Sequence, residues 1–494
     1  MDKSYRTLHT LLEIKIHIMR NKLLLIFVCA SFVVSAQSYN LQSGINYYND
    51  GKYEEATVFL TKEINQHPKE GKAYYYMTKI HMYNEAYSDA LKQVNLAISN
   101  LNDSDTVLAR SWIAKGDIYQ QISDTVKFES AYTKALSLFP KLAEVYWERA
   151  SSYANWNMNV KAKADLLKVL ELDETHVGAR KLLCSILYDE EKYEEVITQA
   201  NKIIVLSPEF VDAYDLRASA YFQLDRYDLA IEDGYSALTL DEENTRLRFK
   251  YIMYSKKNYS LGIAKISTMI NEYPQKDIWY LLRAEILLQK KEFDKALKEY
   301  DHIFTIIPAS SFSFYFAKRA EVYTEMGLHD LALNDYSASI ERDSTDASYY
   351  SSRADEYRHL GKMDLAIADC DRAIELSPET AYNYLRRGWV YEELKADPQT
   401  LIADYTAALE IDRNLASAYL YRGRVYQRSL KDTSKANDDF RQVIALDTET
   451  GSMDNQRQFG YAGLGMVVEA KAWNSKLLNE FPTDEIGRAS CRER

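Results

Sequence analysis

Residues Ala347–Thr380 read ASYYSSRADEYRHLGKMDLAIADCDRAIELSPET, and this stretch decides the fold of the chain. Tyr350, Ala354 and Tyr357 follow one another at spacings of four and three residues, which places them on one face of a helix. Gly361 interrupts this pattern and permits a tight turn, because glycine tolerates backbone conformations that other residues avoid. The first half of the stretch therefore predicts one amphipathic helix that ends in a turn.

The second half of the stretch predicts another helix, with an apolar face that extends from Leu365 to Ile374. Pro378 closes the unit, since proline cannot continue a helix and is common just past a helix end. Neither helix is long enough to be stable alone in water. Each helix must therefore bury its apolar face against a partner, and the next copy of the unit supplies it.

The same order of large, small and aromatic positions recurs with a period of about 34 residues. Seven of the eight prolines occupy the closing position of a copy, and Pro398 is the exception. Thirteen copies begin near residues 37, 71, 109, 143, 177, 211, 243, 277, 313, 347, 381, 416 and 451. The chain is therefore predicted to be a repeat array that grows by stacking rather than around one core.

The repeated unit resembles a tetratricopeptide (TPR) repeat. This resemblance implies an all-α fold, an α-α superhelix or TPR solenoid of about thirteen helix-turn-helix repeats, over residues 37–484. It also implies that positions 2, 5, 9, 12 and 13 of the first helices line a concave groove that binds a protein or peptide ligand. The family's clamp for a C-terminal carboxylate is not intact here, because Leu41 and Ile45 stand at its lysine and asparagine positions in the first copy.

Large or charged side chains occupy the groove positions of several copies, and they are the candidate partner-binding residues. The alternative is that these side chains pack on neighbouring helices or are simply exposed. If Trp147 and Trp389 contact a ligand, replacing either with alanine should leave the melting temperature nearly unchanged. The ten candidates are Tyr75, Lys79, Met82, Tyr83, Trp147, Tyr251, Tyr254, Trp389, Arg424 and Arg428.

Patterns that would indicate catalysis or cofactor binding are not found in the sequence. No histidine pair has the spacing of a zinc site, and there is no glycine-rich phosphate loop or nucleophile elbow. Cys184 and Cys370 stand at small packing positions about five repeats apart, so we expect no disulfide between them. The net charge of −12 argues against a nucleic-acid ligand. These features predict a non-enzymatic scaffold without metal or cofactor.

Residues 1–36 have the pattern of a leader that carries a secretory signal. Arg20 and Lys22 precede an apolar run over 23–34, and small residues follow at 35–36. The run is too short to span a membrane, which takes about 20 apolar residues. We expect the true start at Met19, cleavage after Ala36, and a periplasmic or cell-surface location without an integral membrane segment in the mature chain.

Residues 485–494 do not continue the repeats. The last nine, IGRASCRER, resemble the translation of a common sequencing adapter. The hypothesis is a non-native tail in place of the natural continuation past Glu485, and a disordered basic tail is the plainer alternative. A second functional hypothesis follows, in which the array is the interaction or sensor arm of a longer protein with a catalytic or signalling domain.

A comparison of the copies reveals a paired substitution between positions 7 and 23. Seven copies carry arginine at position 7 and an acid at position 23, whereas five copies lack both. The pattern predicts a charge-assisted bridge between the two helices of each copy. The alternative is an anion-binding row of arginines. The predicted pairs are Arg149 with Asp165, Arg217 with Asp233, Arg283 with Glu299, Arg319 with Asp335, Arg353 with Asp369, Arg387 with Asp404 and Arg422 with Asp439.

Overall fold

A computed structural model describes residues 39–446 and 457–480, with side chains up to residue 473. The chain divides into two compact units, the first ending at Leu247 and the second beginning at Arg248. Each unit is a stack of helix pairs, and each pair consists of a first helix, a tight turn and a second helix. Thirteen pairs follow one another in the described residues, and no strand occurs there, so the predicted all-α repeat fold is confirmed.

The helices have the following bounds in chain order. The pairs of the first unit are α1 (39–49) with α2 (Tyr53–Gln66), α3 (Gly71–Tyr83) with α4 (Tyr87–Asn100), α5 (Thr106–Gln121) with α6 (Thr125–Leu138), α7 (Ala143–Asn155) with α8 (Asn159–Leu172), α9 (Val177–Asp189) with α10 (Tyr193–Leu206), and α11 (Val211–Gln223) with α12 (Tyr227–Leu240). The seventh pair, α13 (Thr245–Ser255) with α14 (Tyr259–Glu272), begins at the end of the first unit.

The later pairs belong to the second unit. They are α15 (Asp277–Gln289) with α16 (Phe293–Ile306), α17 (Phe312–Glu325) with α18 (His329–Arg342), α19 (Ala347–His359) with α20 (Met363–Leu376), α21 (Ala381–Glu393) with α22 (Pro398–Ile411), α23 (Ala416–Val425) with α24 (Thr433–Ala445), and α25 (Arg457–Gly463) with α26 (Val467–Glu480). A single 3-10 turn, Ala309–Ser311, precedes α17, and a π-helical turn, Tyr426–Leu430, follows α23.

The turn inside each pair contains one residue with positive φ, except in the seventh pair. In the tenth pair this residue is Gly361, with φ of 70°, as the sequence predicts. The seventh pair is shorter, because α13 has 11 residues whereas α11 and α15 each have 13. Two residues are therefore missing between the start of α13 and the start of α14, and the register of the repeat shifts within this pair.

The two helices of a pair approach closely at positions 8 and 24. A Cβ atom added to Gly388 at position 8 would lie 2.5 Å from the ring of Tyr405, the buried aromatic residue of the facing helix. Real Cβ atoms do not approach other atoms so closely. Position 388 must therefore be glycine, because the ring of Tyr405 occupies the space that a side chain would need. The eleventh pair also explains Pro398, which begins α22 directly after Asp397, whose side chain accepts from the backbone N–H of Gln399.

All seven predicted arginine–acid bridges are present. In the tenth pair, Nε and Nη2 of Arg353 donate to both carboxylate oxygens of Asp369 at 2.7 and 2.8 Å. Asp369 is only 6 % exposed, and its hydrogen bonds and charge raise the pKa of Arg353 against the opposing effect of burial. Five of the other pairs form the same two hydrogen bonds, and in the remaining pair Arg283 donates once, from Nη2 to Glu299 at 2.8 Å. Since the acids occupy these guanidinium groups, the arginines serve the packing of the helices and do not form an anion-binding row.

The bridging arginines also connect successive repeats. Nη1 of Arg353 donates to Oγ of Ser337 on α18, the second helix of the preceding repeat, at 3.1 Å. The arginines of five other bridges make the equivalent contact to a polar side chain sixteen or eighteen residues earlier. Each such arginine therefore joins three helices, and it fixes how one pair stacks on the next.

Candidate functional site

The groove positions lie on first helices that contact one another directly. In the second unit, α19 contacts α21 and α23 contacts α25. The side chains at positions 2, 5, 9, 12 and 13 of the first helices in this unit are here called the groove face. Half-buried residues on this face can contact both a neighbouring helix and a ligand.

A cavity of about 430 Å³ opens on the groove face of the second unit. Its lining comes from three successive repeats, and Trp389 at position 9 of α21 is the largest side chain in it. The five lining residues are Arg358, Trp389, Glu392, Glu393 and Tyr421. We call this cavity the Trp389 pocket.

Two of the charged groups in the Trp389 pocket neutralise each other. Nη1 of Arg358 donates to Oε1 of Glu393 at 2.5 Å, and Asp355 lies 3.9 Å from Nε of the same arginine. Burial raises the pKa of Asp355, although the nearby charges of Arg386 and Arg358 oppose the increase. Over the described part of the chain, Glu392 has no ion pair, and its one hydrogen bond is a long contact of 3.4 Å from the hydroxyl of Tyr405.

The aromatic residues of the Trp389 pocket pack on one another at their edges. The ring centroids of Trp389 and Tyr421 are 5.6 Å apart, with an angle of 63° between the planes. The guanidinium group of Arg424 lies 5.3 Å from the centroid of Tyr421 and 5.4 Å from that of Phe459. Arg424 therefore stacks among aromatic rings beside the pocket. Arg428 is exposed in the π-helical turn, outside the pocket lining.

The candidates of the first unit do not form one cavity among the described pockets. Tyr75 and Met82 are half-buried and pack against the core between the second and third repeats. Tyr83 is 67 % exposed, and its ring lies 4.4 Å from that of Tyr53. Burial raises the pKa of Tyr75, as expected for a hydroxyl taken partly out of water.

Lys79 and Trp147 have polar and apolar surroundings, respectively. Burial raises the pKa of the Asp117 and Glu148 carboxyls, and the charge of Lys79 partly opposes both increases. Trp147 is half-buried, with its ring 4.9 Å from that of His176 at the start of α9. Trp147 and Trp389 both pack against buried core residues, so part of each indole contributes to stability.

Tyr251 and Tyr254 are not groove residues, and the prediction for them is wrong. They are 0 % and 1 % exposed, and the hydroxyl of Tyr251 donates to the backbone carbonyl of Gly262 on the paired helix. The error arises from the two residues missing in the seventh pair. Counting from the start of α13 places Tyr251 at position 7, a packing position, rather than at position 9.

Four lining residues of the Trp389 pocket were not among the candidates. Arg358 and Glu392 occupy position 12 of their repeats, and Glu393 occupies position 13. The same positional rule that selected Trp389 would have found these three. Tyr421 stands at position 6, which the rule does not include, and only the side-chain geometry brings it to the pocket.

Metal-binding clusters and membrane-spanning helices are both absent from residues 39–446 and 457–480. No group of three or more histidine, cysteine, aspartate or glutamate side chains is placed to hold a metal ion there. Within the same ranges, no helix has the length and apolar character that crossing a membrane demands. The leader over 1–36 and the tail over 485–494 lie outside the described residues.

Comparisons with known proteins support the repeat family. The family model of the tetratricopeptide repeat matches residues 109–142, 143–176, 211–244 and 347–380, which are the third, fourth, sixth and tenth repeats. A search of curated proteins found no match.

Several solved structures are similar to the chain at low sequence identity. Yeast Tom70 is 14% identical, with 86% of this chain and 100% of that chain covered and a TM-score of 0.42. The C-terminal part of a TPR repeat-containing protein from Cytophaga hutchinsonii is 21% identical, with coverages of 49% and 98% and a TM-score of 0.33. Pseudomonas aeruginosa pilF is 16% identical, with coverages of 45% and 98% and a TM-score of 0.37.

The matched segments and the architecture agree. Three of the four matched segments contain one complete helix pair, and 109–142 contains a pair except for the first three residues of α5. The pairs between them repeat the same element with nearly the same period. Residues 109–142, 143–176, 211–244 and 347–380 are therefore tetratricopeptide repeats, and the other described helix pairs have the same architecture.

Proposed function

We propose that the chain is a non-enzymatic scaffold that binds another protein or a peptide through its groove face. The observation that carries this proposal is the Trp389 pocket, where a half-buried tryptophan and tyrosine stand beside a carboxylate without an ion pair. Large aromatic side chains with a few charged neighbours are characteristic of residues that dominate protein interfaces. A carboxylate that forms no ion pair can accept hydrogen bonds from a ligand.

A photo-crosslinking experiment tests the groove face directly. A photoreactive phenylalanine analogue would replace Tyr382, which is 45% exposed at position 2 of α21, or Leu365, which is 49% exposed on the second helix α20. Peptides selected from a random twelve-residue library on the full chain should crosslink at 382 and not at 365. Equal crosslinking at both positions, or crosslinking at 365 alone, would contradict binding on the groove face.

We also propose that the protein is exported to the periplasm or cell surface. The sequence over 20–37 supports this, since a charged segment, an apolar run and small residues occur in the order of a secretory signal. Expression in a Gram-negative host should yield a mature chain that begins at Gln37. An intact Met1 or Met19 terminus in the cytoplasmic fraction would be the opposite result.

A further inference from the structure

We propose that the Trp389 pocket binds one positively charged side chain, an arginine or a lysine, of the peptide or protein partner. This inference rests on the proposed binding function of the groove face and specifies the chemistry of its ligand. It follows from the balance of charge in the pocket, from the aromatic rings and from the choice of tryptophan at position 389.

The charge of the pocket lining favours a cation. Arg358 and Glu393 form an ion pair and neutralise each other. The carboxylate of Glu392 therefore gives the pocket lining a net negative charge. An entering guanidinium or ammonium group can approach Glu392 without displacing a cation already in place. The long contact from the hydroxyl of Tyr405 leaves the carboxylate oxygens with capacity for further donors.

The aromatic rings favour the same ligand. Trp389 is of the residue type that attracts cations most strongly over its ring face. Tyr421 already has the guanidinium of Arg424 within 5.3 Å of its centroid, which shows that this aromatic cluster accommodates such a group. A cation beside Trp389 would therefore gain from the ring and from the carboxylate of Glu392 together.

The indole nitrogen gives an independent reason to assign Trp389 to a ligand. Its Nε1 is buried and has no acceptor among the described residues. A buried donor without a partner opposes folding, and phenylalanine would fill much of the same space without that cost. This donor favours a ligand that also carries an acceptor, such as the backbone carbonyl of a peptide, while the indole ring attracts a cation more strongly than a phenylalanine ring would.

The size of the pocket is sufficient for one large side chain. A cavity of about 430 Å³ lies toward the lower end of the ~300–1,000 Å³ range of small-ligand pockets. An acidic side chain is the rival ligand, because Arg358 and Arg424 are nearby. However, Arg358 is bound to Glu393 and lies near Asp355, and Arg424 stacks between two rings outside the lining.

Three peptides that differ at one central residue test the charge of the ligand. Each would be an acetylated and amidated Gly-Ser-X-Ser-Gly peptide, with X as arginine, its neutral analogue citrulline, or glutamate, titrated calorimetrically into the full chain. The arginine peptide should bind about tenfold more tightly than the citrulline peptide, and the glutamate peptide should bind most weakly. Equal affinities, or a preference for glutamate, would overturn the proposal.

Two substitutions connect this preference to the pocket. Glu392→Gln should reduce the arginine-over-citrulline preference to near unity, whereas Glu325→Gln, at position 13 of α17 and outside the lining, should leave it tenfold. Trp389→Phe should lower the affinity for the arginine peptide several-fold and leave the melting temperature unchanged or higher. An unchanged preference in Glu392→Gln would place the cation elsewhere and refute the assignment.

The peptide library distinguishes the proposed cation site from the broader proposal that the groove face binds peptides. If selected peptides crosslink at 382 but tolerate replacement of every arginine and lysine by citrulline, the groove face binds peptides and the cation assignment fails. If no peptide crosslinks at 382 and none of the three test peptides binds, both proposals fail.

Discussion

The tenth and fifth repeats join their two helices in different ways. In the tenth, Arg353 at position 7 binds the carboxylate of Asp369 with two hydrogen bonds. In the fifth, position 7 is the buried Leu183, and the cation comes from Arg180, one turn earlier on α9. Nη1 of Arg180 donates to the side-chain oxygen of Gln199 at 2.7 Å. The facing position is thus bridged in both repeats, by a carboxylate in one and by an amide in the other.

Arg180 also replaces a second element of the common repeat. At position 4, five of the described repeats have a tyrosine whose hydroxyl donates to the carbonyl six residues earlier, as Tyr214 does to Pro208 at 2.9 Å. Arg180 occupies this position and donates from Nε and Nη2 to the carbonyl of Glu174, also six residues earlier. Arg180 alone therefore makes both the bond to the facing helix and the bond to the carbonyl that precedes its own helix. The comparison teaches that these two repeats form hydrogen bonds at the same two places with donors from different positions.

The largest loss of stability is expected from removing the charged bridge of the tenth repeat. Arg353→Ala should destabilise the protein by about 3 kcal/mol, because it leaves the buried carboxylate of Asp369 without its cation. The double change with Asp369→Ala should cost less than the sum of the two single changes. Denaturant unfolding of the four proteins of this cycle measures the coupling.

A control on the same repeat separates burial from charge. Arg372 forms an exposed pair with Glu375 on α20, and Arg372→Ala should cost no more than about 1 kcal/mol. A cycle for Arg353 and Asp369 that shows no coupling would mean that their contact does not contribute to stability.

A smaller loss of stability is expected from the corresponding change in the fifth repeat. Arg180→Met should destabilise by about 1–2 kcal/mol, since it removes hydrogen bonds to an amide and a carbonyl but leaves no buried carboxylate behind. The exposed neighbour Lys181 gives the control, and Lys181→Met should have little effect. A loss for Arg180→Met as large as that for Arg353→Ala would show that charge is not what distinguishes the two repeats.

The sequence predicts the bridges of the common repeat because their two positions vary together. Arginine and acid occur together in seven copies at a separation of 16 or 17 residues, so a contact can be inferred without coordinates. The bridge of Arg180 could not be inferred this way, since it occurs once and begins from the position that is usually tyrosine. A signal was nevertheless present, because a cation at position 4 faces an amide at position 23.

The groove shows the same limit of positional reasoning. Counting along the repeat correctly brings Trp389 to a pocket, but it fails at Tyr251 and Tyr254, where two missing residues shift the register. A pattern also cannot tell that Arg358 is neutralised by Glu393 while Glu392 is not. Such distinctions depend on rotamers and on distances between repeats, which the identity of a residue at a position does not determine.

The smallest expected effect is on the pH dependence of stability, and it comes from one buried thiol in each of these two repeats. Cys184 on α9 and Cys370 on α20 are buried, and burial raises the pKa of each thiol to about 12. An unfolded chain has thiol pKa values near 8.5. The thiols therefore favour the folded state fully below about pH 8.5, and this contribution is lost as the pH rises toward 12.

Replacing either cysteine by alanine should consequently change the pH dependence of stability. Between pH 8 and 10 the unfolding free energy of the wild type should fall by about 1–2 kcal/mol more than that of Cys184→Ala or Cys370→Ala, because only the wild type has the thiol that ionises on unfolding. The two variants should behave alike, although Arg180 lowers the pKa of Cys184 and opposing charges surround Cys370. Denaturant unfolding at pH 8, 9 and 10 measures this. If Cys184→Ala showed no pH-dependent difference while Cys370→Ala did, the cation of Arg180 would be stabilising a thiolate in the fifth repeat, and the two repeats would differ in their electrostatics more than their hydrogen bonds indicate.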